Sequence, residues 1–427
     1  MEFELYYETS GVSIDTRKIK KDSLFICLKG EKYDGNDFAL QALENGAKYV
    51  ISDDNNNKNI KNVFIVGDTL KYLQKLANFH RNKFNIPIIG ITGTNGKTTT
   101  KELISTILSQ KYNTLYTEGN LNNHIGVPLT LLNLNNRYEI AVVEMGANKP
   151  GDIKELVDIT QPTHGIVTNM GKAHLEGFKS FEGVQKTKSE MYDYLEKFKC
   201  PIFYNEDDNI LKKNLSQRTS NLISYSTNNN SYIKGELISM SPFIKMKWKQ
   251  NEYTSEILET KMIGAYNYNN FLAAICIGRY FEIDSKLINE AVKTYIPKNN
   301  RSQIEKTKHN MLILDAYNAN PTSMRNAIES FNLMKIENKL LILGDMYELG
   351  DDSYEEHKNI VKLVDSLHLE TLYVGDNFMK FNETSKNIFF KDKDELKKYI
   401  IKNQLKNKYI LLKASRGIGL ESIKDIL

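Results

Sequence analysis

Residues 86–99 read Ile86-Pro87-Ile88-Ile89-Gly90-Ile91-Thr92-Gly93-Thr94-Asn95-Gly96-Lys97-Thr98-Thr99. The first six form a short apolar run, the pattern of a strand buried on both faces. A Gly/Thr loop follows, and from Lys97 to about Ser109 the spacing predicts a helix. Strand, glycine-rich loop and helix in this order are the setting of a phosphate loop. Glycines let backbone N–H groups face phosphate oxygens, and the helix N-terminus adds positive potential. Lys97 can reach the β- and γ-phosphates, and Thr98 can offer a hydroxyl to Mg²⁺. Gly93, Thr94, Asn95, Gly96, Lys97, Thr98 and Thr99 are therefore the candidate ATP or GTP contacts. The loop is the short TGTNGKT variant, since Ile91 stands where GxxxxGK[ST] has its first glycine. A helix-capping turn would need similar glycines, but strand, loop, Lys-Thr pair and helix here all agree.

Working outward, residues 1–85 carry short strands (Ser23 to Leu28, Tyr49 to Ser52, Asn62 to Val66) and helices (Phe38 to Asn45, Leu70 to Lys83), a small α/β domain. The central domain, 86–299, adds strands at Glu139 to Val143 and Gly165 to Thr168 that alternate with helices, as a parallel sheet requires. From about Asn221 to Met262 the segments SYIKGELISM, FIKMKWKQ and EYTSEILETKMI read as consecutive strands, hence an antiparallel appendage, and a helix from Tyr268 to Arg279 closes the region. Residues 300–427 hold five strands (Met311 to Asp315, Lys339 to Leu343, Thr371 to Val374, Asn387 to Phe390, Tyr409 to Lys413) with helices between them. That alternation predicts a Rossmann-like doubly wound domain, without the GxGxxG of a dinucleotide site. The fold class is α/β with three domains, the number that 427 residues suggest at roughly 150 per domain.

Hydrophobic residues make up 41% and charged residues 26%, enough for a core in each domain. With 57 basic and 53 acidic residues the net charge is only +4, so no nucleic-acid partner is expected. Cys27, Cys200 and Cys276 lie far apart and form no CxxC pair, which fits a reducing cytoplasm rather than a zinc site or disulfide framework. The N-terminal MEFELYYETS carries acids where a signal peptide needs bases, and no apolar stretch reaches about 18 residues. A cytoplasmic protein without a membrane span is expected, and a monomer.

Downstream of the loop, Glu144 ends an apolar strand, where the ligand crevice of an open α/β sheet lies. A carboxylate there suits Mg²⁺, which takes few protein ligands; a solvated strand-end acid is equally consistent. His174, after the strand that ends near Asn169, can be a metal ligand or base, or a plain surface histidine. Lys188 sits in or at the start of a helix, where a solvated lysine is the ordinary reading. Asn123 lies in the polar loop 120–128, whose asparagines can bind phosphate or ribose, or simply form turns.

The TGTNGKT loop, Val143-Glu144-Met145-Gly146, NMGKAHLEGF (169–178) and GAYNYNNFLAA (264–274) occur in this order in the Mur ligases, and the chain resembles that family along almost its whole length. Ser13-Ile14-Asp15-Thr16-Arg17, Leu24-Phe25, Gly30-Glu31 and Asp34-Gly35-Asn36 look like the family's UDP-sugar-binding domain. DAYNANPTSM (315–324) and LGDMYELG (343–350) are similar to the branch that joins D-Ala-D-Ala to UDP-MurNAc-tripeptide. The resemblance implies ATP-dependent amide ligation through an acyl phosphate. It implies Lys97 on the γ-phosphate, two Mg²⁺ held by Thr98, Glu144, His174 and Lys188, and Lys188 present as a CO₂-derived carbamate. It also places Asn267, Asn270, Arg301 and Asp315 on the nucleotide. Ser13, Arg17, Asn36 and Asn123 are substrate contacts by the same likeness, with Asn318 and Asn320 near the incoming dipeptide or the nucleotide, and Lys413, Ser415 and Arg416 near the dipeptide. Ser189 stands where glycine is common in this branch, and Tyr266 where histidine is common. A ligase adding a diamino acid to UDP-MurNAc-dipeptide is the nearest alternative, but its Asp-Asn-Pro-Arg-like motif is absent. A nucleotide-binding regulator without ligase chemistry is another, and the intact Lys97, Thr98, Glu144, His174 and Lys188 argue against it.

Overall fold

The computed structural model describes residues 3–219, 221–228, 230–297 and 300–427; the expected end of the central domain, at 299, lies outside them. Three sheets carry the fold: an N-terminal parallel one, a central mixed one and a C-terminal mixed one. The chain packs into two compact units, one of residues 1–91, 112–146 and 152–164, the other of 92–111, 147–151 and 165–427.

In the first unit, strands Val12–Ser13, Ser23–Ile26, Ala47–Ser52 and Val63–Ile65 pair in that order, all parallel. Ala39 and Ala42 of the crossover helix Ala39–Glu44 share one core with Phe25 and Val50 of the sheet. Residues 86–91 join this unit for a physical reason. Helix Thr69–Arg81, capped by the Asp68 carboxylate on the Lys71 N–H, buries Tyr72, Leu73, Leu76, Ala77 and His80 along one stripe. That stripe packs on helices Gly126–Leu131 and Asp152–Thr160. The buried Arg81 donates from Nε to the Thr160 carbonyl at 2.8 Å and from Nη2 to that of Gln161 at 2.9 Å. Strand Ile88–Thr92 pairs with Ile140–Glu144, which pairs with Thr114–Tyr116, again all parallel.

In the second unit, strands His164–Val167, Ile202–Asn205, Leu222–Ser226 and Ile233–Ser239 run parallel. The expected antiparallel pairing begins only between Ile233–Ser239 and Lys245–Gln250. The first strand of the appendage thus extends the parallel sheet. EYTSEILETKMI does not form one strand; it makes two short pieces, Tyr253–Thr254 and Leu258–Glu259, both on Lys245–Gln250. Between them the Ser255 hydroxyl, not a ladder carbonyl, accepts the Trp248 N–H at 3.0 Å. Helix Tyr268–Tyr280 crosses helix Lys97–Leu108 closely, because a Cβ on Gly278 would lie 2.5 Å from Ile107 Cγ2.

The C-terminal sheet has the order Gln303–Lys306, Met311–Leu314, Tyr409–Lys413, Lys339–Gly344, Thr371–Val374, Ile388–Phe390. All pairs are parallel except the first, an antiparallel edge strand that the sequence pattern did not single out. Two separate cores cover the faces, one around Met324, Ile328 and Phe331, the other around Leu396, Ile400 and Leu420. Asp315, Asp345 and Lys413 stand at the carboxyl ends of three adjacent strands.

Candidate nucleotide and ligation site

The loop after strand Ile88–Thr92 is shaped by two glycines. Gly93 has φ +148, and a Cβ on it would lie 1.9 Å from Thr168 Oγ1. Gly96 is the left-handed N-cap of helix Lys97–Leu108, and a Cβ there would meet Asn270 Oδ1 at 2.6 Å. Thr168 and Asn169 hold the loop from the next strand end. The Thr94 N–H donates to the Asn169 carbonyl and the Asn95 N–H to Asn169 Oδ1, both at 3.0 Å. Thr168 Oγ1 donates to the Asn95 carbonyl at 2.6 Å. Lys97 lies back on the loop, its ammonium donating to the carbonyls of Gly93 at 2.8 Å and Thr94 at 3.0 Å. Thr98 and Thr99 are buried in the first helical turn.

From this helix a chain of polar contacts runs to the C-terminal sheet. Thr100 Oγ1 donates to Asn270 Oδ1 at 3.1 Å, and Asn270 Nδ2 donates to Asn267 Oδ1 at 2.9 Å. Asn267 Nδ2 reaches Ser302 Oγ at 3.0 Å, and the Ser302 N–H reaches Asp315 Oδ1 at 3.3 Å. Lys413 closes the chain with an ion pair to Asp315 Oδ2 at 2.6 Å. Tyr266 joins through its hydroxyl at 2.9 Å from Ser302 Oγ, and burial followed by the nearby Asp315 pushes its phenol up. Thr100, Thr168, Asn169 and Ser302 are members that sequence reasoning did not name as site residues. Ser302 follows Arg301 directly, and its left-handed φ of +50 is invisible to periodicity.

Asn320 also reaches the loop. Its Nδ2 donates to Asn95 Oδ1 at 2.8 Å while its Oδ1 accepts the Ser323 N–H, capping helix Pro321–Leu333. Arg301 lies 3.6 Å over the Tyr317 ring and Arg416 lies 5.6 Å from the same ring. Lys413 is buried and neutralised by Asp315, and Ser415 is buried between the Tyr347 N–H and the Ala319 carbonyl. Among the candidates for the dipeptide carboxylate, Arg416 therefore keeps the exposed cation. Asn318 contributes its backbone carbonyl, which accepts from Lys413 at 3.4 Å.

Two further candidates lie beside one another. His174 has left-handed φ +50 and caps the turn Leu175–Phe178; its Nδ1 is 2.5 Å from Glu348 Oε2. That contact holds the Glu348 carboxyl below its ordinary range. Lys188, mid-way along helix Phe181–Lys197, is 3% exposed, and its ammonium is 6.0 Å from the Phe178 ring that His174 also faces. Burial first, and then the charge of Lys97, pull the Lys188 pKa well below its usual value.

In the first unit, Glu144 is 1% exposed and pairs in register with Ile91, immediately before the loop begins. Its N–H donates to Thr117 Oγ1 at 3.0 Å, and its Oε1 accepts from Asn122 Nδ2 at 2.7 Å. Asn122, rather than Asn123, touches the carboxylate. Asn123 caps helix Gly126–Leu131 by accepting the Gly126 N–H at 2.9 Å. Asn36 is likewise a structural pin, joining Asp34 and Asp53 and accepting from Ser52 at 2.7 Å. Ser13 turns back on the Asp15 carbonyl at 3.1 Å, and Arg17 is exposed, paired with Asp15 at 2.9 Å.

Three family models match this chain: Mur ligase family, catalytic domain, at residues 8–82; Mur ligase middle domain at 91–278; and Mur ligase, glutamate ligase domain, at 300–416. The UDP-N-acetylmuramoyl-tripeptide--D-alanyl-D-alanine ligase of Bacillus subtilis is 34% identical, over 98% of this chain and 93% of its own length. The chain belongs to the Mur ligase family. The ligase of the same name from Buchnera aphidicola is 37% identical, over 98% of this chain and 92% of its own. Among solved Mur ligases, MurF from Acinetobacter baumannii superposes with a TM-score of 0.88 at 27% identity, covering 98% of this chain and 96% of its own. MurF ligase from Thermotoga maritima, solved in complex with ADP, gives 0.87 at 25% identity, covering 99% of both. The match to Mur ligases spans all three sheets, and no helix among the described residues is long and apolar enough to cross a membrane.

Proposed function

We propose that this Mur ligase joins D-Ala-D-Ala to UDP-MurNAc-tripeptide with hydrolysis of ATP to ADP and phosphate, in cytoplasmic peptidoglycan precursor synthesis. The observation that carries this reading is the end-to-end likeness to ligases of that name at 34% and 37% identity. A carboxylate is a poor electrophile. Transfer of the γ-phosphoryl group to the tripeptide's terminal carboxylate gives an acyl phosphate and releases ADP. The dipeptide amine then attacks the acyl carbon, a proton is lost, and phosphate leaves from the tetrahedral intermediate. Catalysis of this kind is largely positioning and charge neutralisation.

The residues take roles that suit it. The loop N–H groups and Lys97 bind the phosphates, with Lys97 turning from the Gly93 and Thr94 carbonyls. Asn267 and Asn270 border the nucleotide, with Arg301 and Asp315 reaching it from the C-terminal domain. Arg416 meets the dipeptide carboxylate, and Arg17 the sugar nucleotide's diphosphate. Magnesium suits these donors taken singly: the Thr98 hydroxyl and the His174 imidazole of the second unit, and the buried Glu144 carboxylate of the first. When bound it would neutralise charge on the phosphate oxygens. Lys188 fits conversion to a carbamate. Burial and then the charge of Lys97 lower its amine's pKa, which favours the neutral form whose nitrogen can bond CO₂ and lose a proton, leaving an anion near Lys97.

Phosphate release is the test, measured with UDP-MurNAc-tripeptide containing either lysine or meso-diaminopimelate, with and without D-Ala-D-Ala. Release that depends on the dipeptide is expected. Release driven instead by a diamino acid on UDP-MurNAc-dipeptide, or none with any muropeptide, would overturn the proposal.

A further inference from the structure

We infer that Tyr317 is the positioning residue for two arginines, Arg301 and Arg416, an inference that rests on the nucleotide and dipeptide roles proposed for them. Sheet topology explains how three residues so far apart in sequence meet. Tyr317 follows strand Met311–Leu314, and Arg416 follows its parallel neighbour Tyr409–Lys413. Arg301 instead precedes its strand, Gln303–Lys306. That strand is the antiparallel edge, with Gln303 opposite Leu314, so its amino end lies at the carboxyl ends of the other two. A parallel edge strand would have carried Arg301 to the far end of the sheet.

The Tyr317 ring carries both guanidinium groups. The Arg301 Cζ lies 3.6 Å from the ring centroid and the Arg416 Cζ 5.6 Å, both within reach of a ring's attraction for a cation. Arg17, Arg218 and Arg325 each meet an Asp or Glu; among the described residues, Arg301 and Arg416 do not. The Arg301 Nε is buried without a hydrogen-bond partner. A charged donor left in that state is costly, and an anionic oxygen from a ligand would satisfy it. Two cations held near one another also repel, and the negative π face of one ring is what they share. A guanidinium is a planar fork, so fixing its plane fixes where its N–H groups point. Tyr317 thereby sets the direction of both cations before their anionic ligands arrive. The attraction belongs to the ring and not to its hydroxyl.

Steady-state kinetics of the full chain test this, with ATP, D-Ala-D-Ala and UDP-MurNAc-tripeptide varied in turn. Tyr317→Leu removes the π face and should raise KM for ATP and for D-Ala-D-Ala, each by about 2- to 30-fold. Its kcat and its KM for the tripeptide nucleotide should hold within about twofold, as a loss of binding alone requires. Tyr317→Phe keeps the ring and should match the wild type in all of these. Adding Tyr317→Leu to Arg301→Ala should raise KM for ATP no further, a coupling that general damage to the fold would not give. Tyr317→Met serves in the same way if the leucine variant does not fold. A rise in neither KM, or in only one, overturns the inference. So does an equal rise in Tyr317→Phe and Tyr317→Leu, or full additivity with Arg301→Ala. Unchanged KM for ATP in Arg301→Ala, or for the dipeptide in Arg416→Ala, would overturn the role given to that arginine and the inference with it, while the ligase reading stands. Absence of turnover in the wild type would overturn that reading itself, and with it the inference.

Discussion

Single side chains decide the chemistry, and they were the least legible part of the chain. Lys188 reads in the sequence as an ordinary helical lysine; only the packed fold reveals that its helix buries it with Val184, Met191 and Tyr192. The amine's lowered pKa follows from that burial and from Lys97, neither of which is a neighbour in sequence. Lys188→Ala should reduce turnover by about a hundredfold or more without restoration by bicarbonate. A ¹³C carbamate signal from labelled bicarbonate should be present in the wild type and missing in the variant; full activity would remove Lys188 from the site. His164 offers a pH prediction of the same origin. Burial lowers its pKa from 6.5 to about 4, so the folded protein keeps the ring neutral while the unfolded chain takes up a proton. Its contribution is whole above pH 6.5 and is lost as pH falls towards 4, by at most about 3 kcal/mol. Urea titrations across that window should show a shallower pH slope in His164→Asn than in the wild type. Equal slopes would refute the assignment.

At the scale of elements, the strand–loop–helix unit was legible almost to the residue, since the predicted helix from Lys97 to Ser109 forms as Lys97–Leu108. Apolar run, glycines and helical spacing all act locally there, so no tertiary contact is needed to read them. The appendage was less legible because its pairing is decided by partners far away. Ile233–Ser239 takes a parallel neighbour in Leu222–Ser226, and one hydroxyl, that of Ser255, interrupts the next ladder. The loop's own shape yields a sharp expectation. Gly93→Ala places a Cβ on Thr168 Oγ1 and also strains a backbone at φ +148. Calorimetric affinity for a non-hydrolysable ATP analogue should drop by about tenfold or more, while the melting temperature falls by only a few degrees. Adding Thr168→Ala removes the closest contact but leaves the backbone strain, so recovery should be partial. Unchanged nucleotide affinity in Gly93→Ala would show that the loop does not bind phosphate.

For the whole molecule, three sheets arise from three stretches of strand–helix alternation, and that count was readable because each stretch repeats its own pattern. The boundary near residue 85 was not sharp, since Arg81 and the stripe on helix Thr69–Arg81 bind residues 126–161 that no local pattern connects to them. The net charge of +4 fits this organisation: anionic substrates are met by single placed cations, not by a general field. If each sheet presents one ligand at its strand ends, the ligands must protect different amides. Hydrogen exchange of the full chain should then divide three ways. UDP-MurNAc-tripeptide should slow exchange around residues 13–36, an ATP analogue around 92–100 and 264–270, and D-Ala-D-Ala around 315–322 and 413–416. The last should be strongest when the other two ligands are present, because the dipeptide amine must lie against the tripeptide carboxylate that it attacks. Nucleotide protection confined to 300–427, or dipeptide protection within 1–85, would break the assignment of one substrate to each sheet.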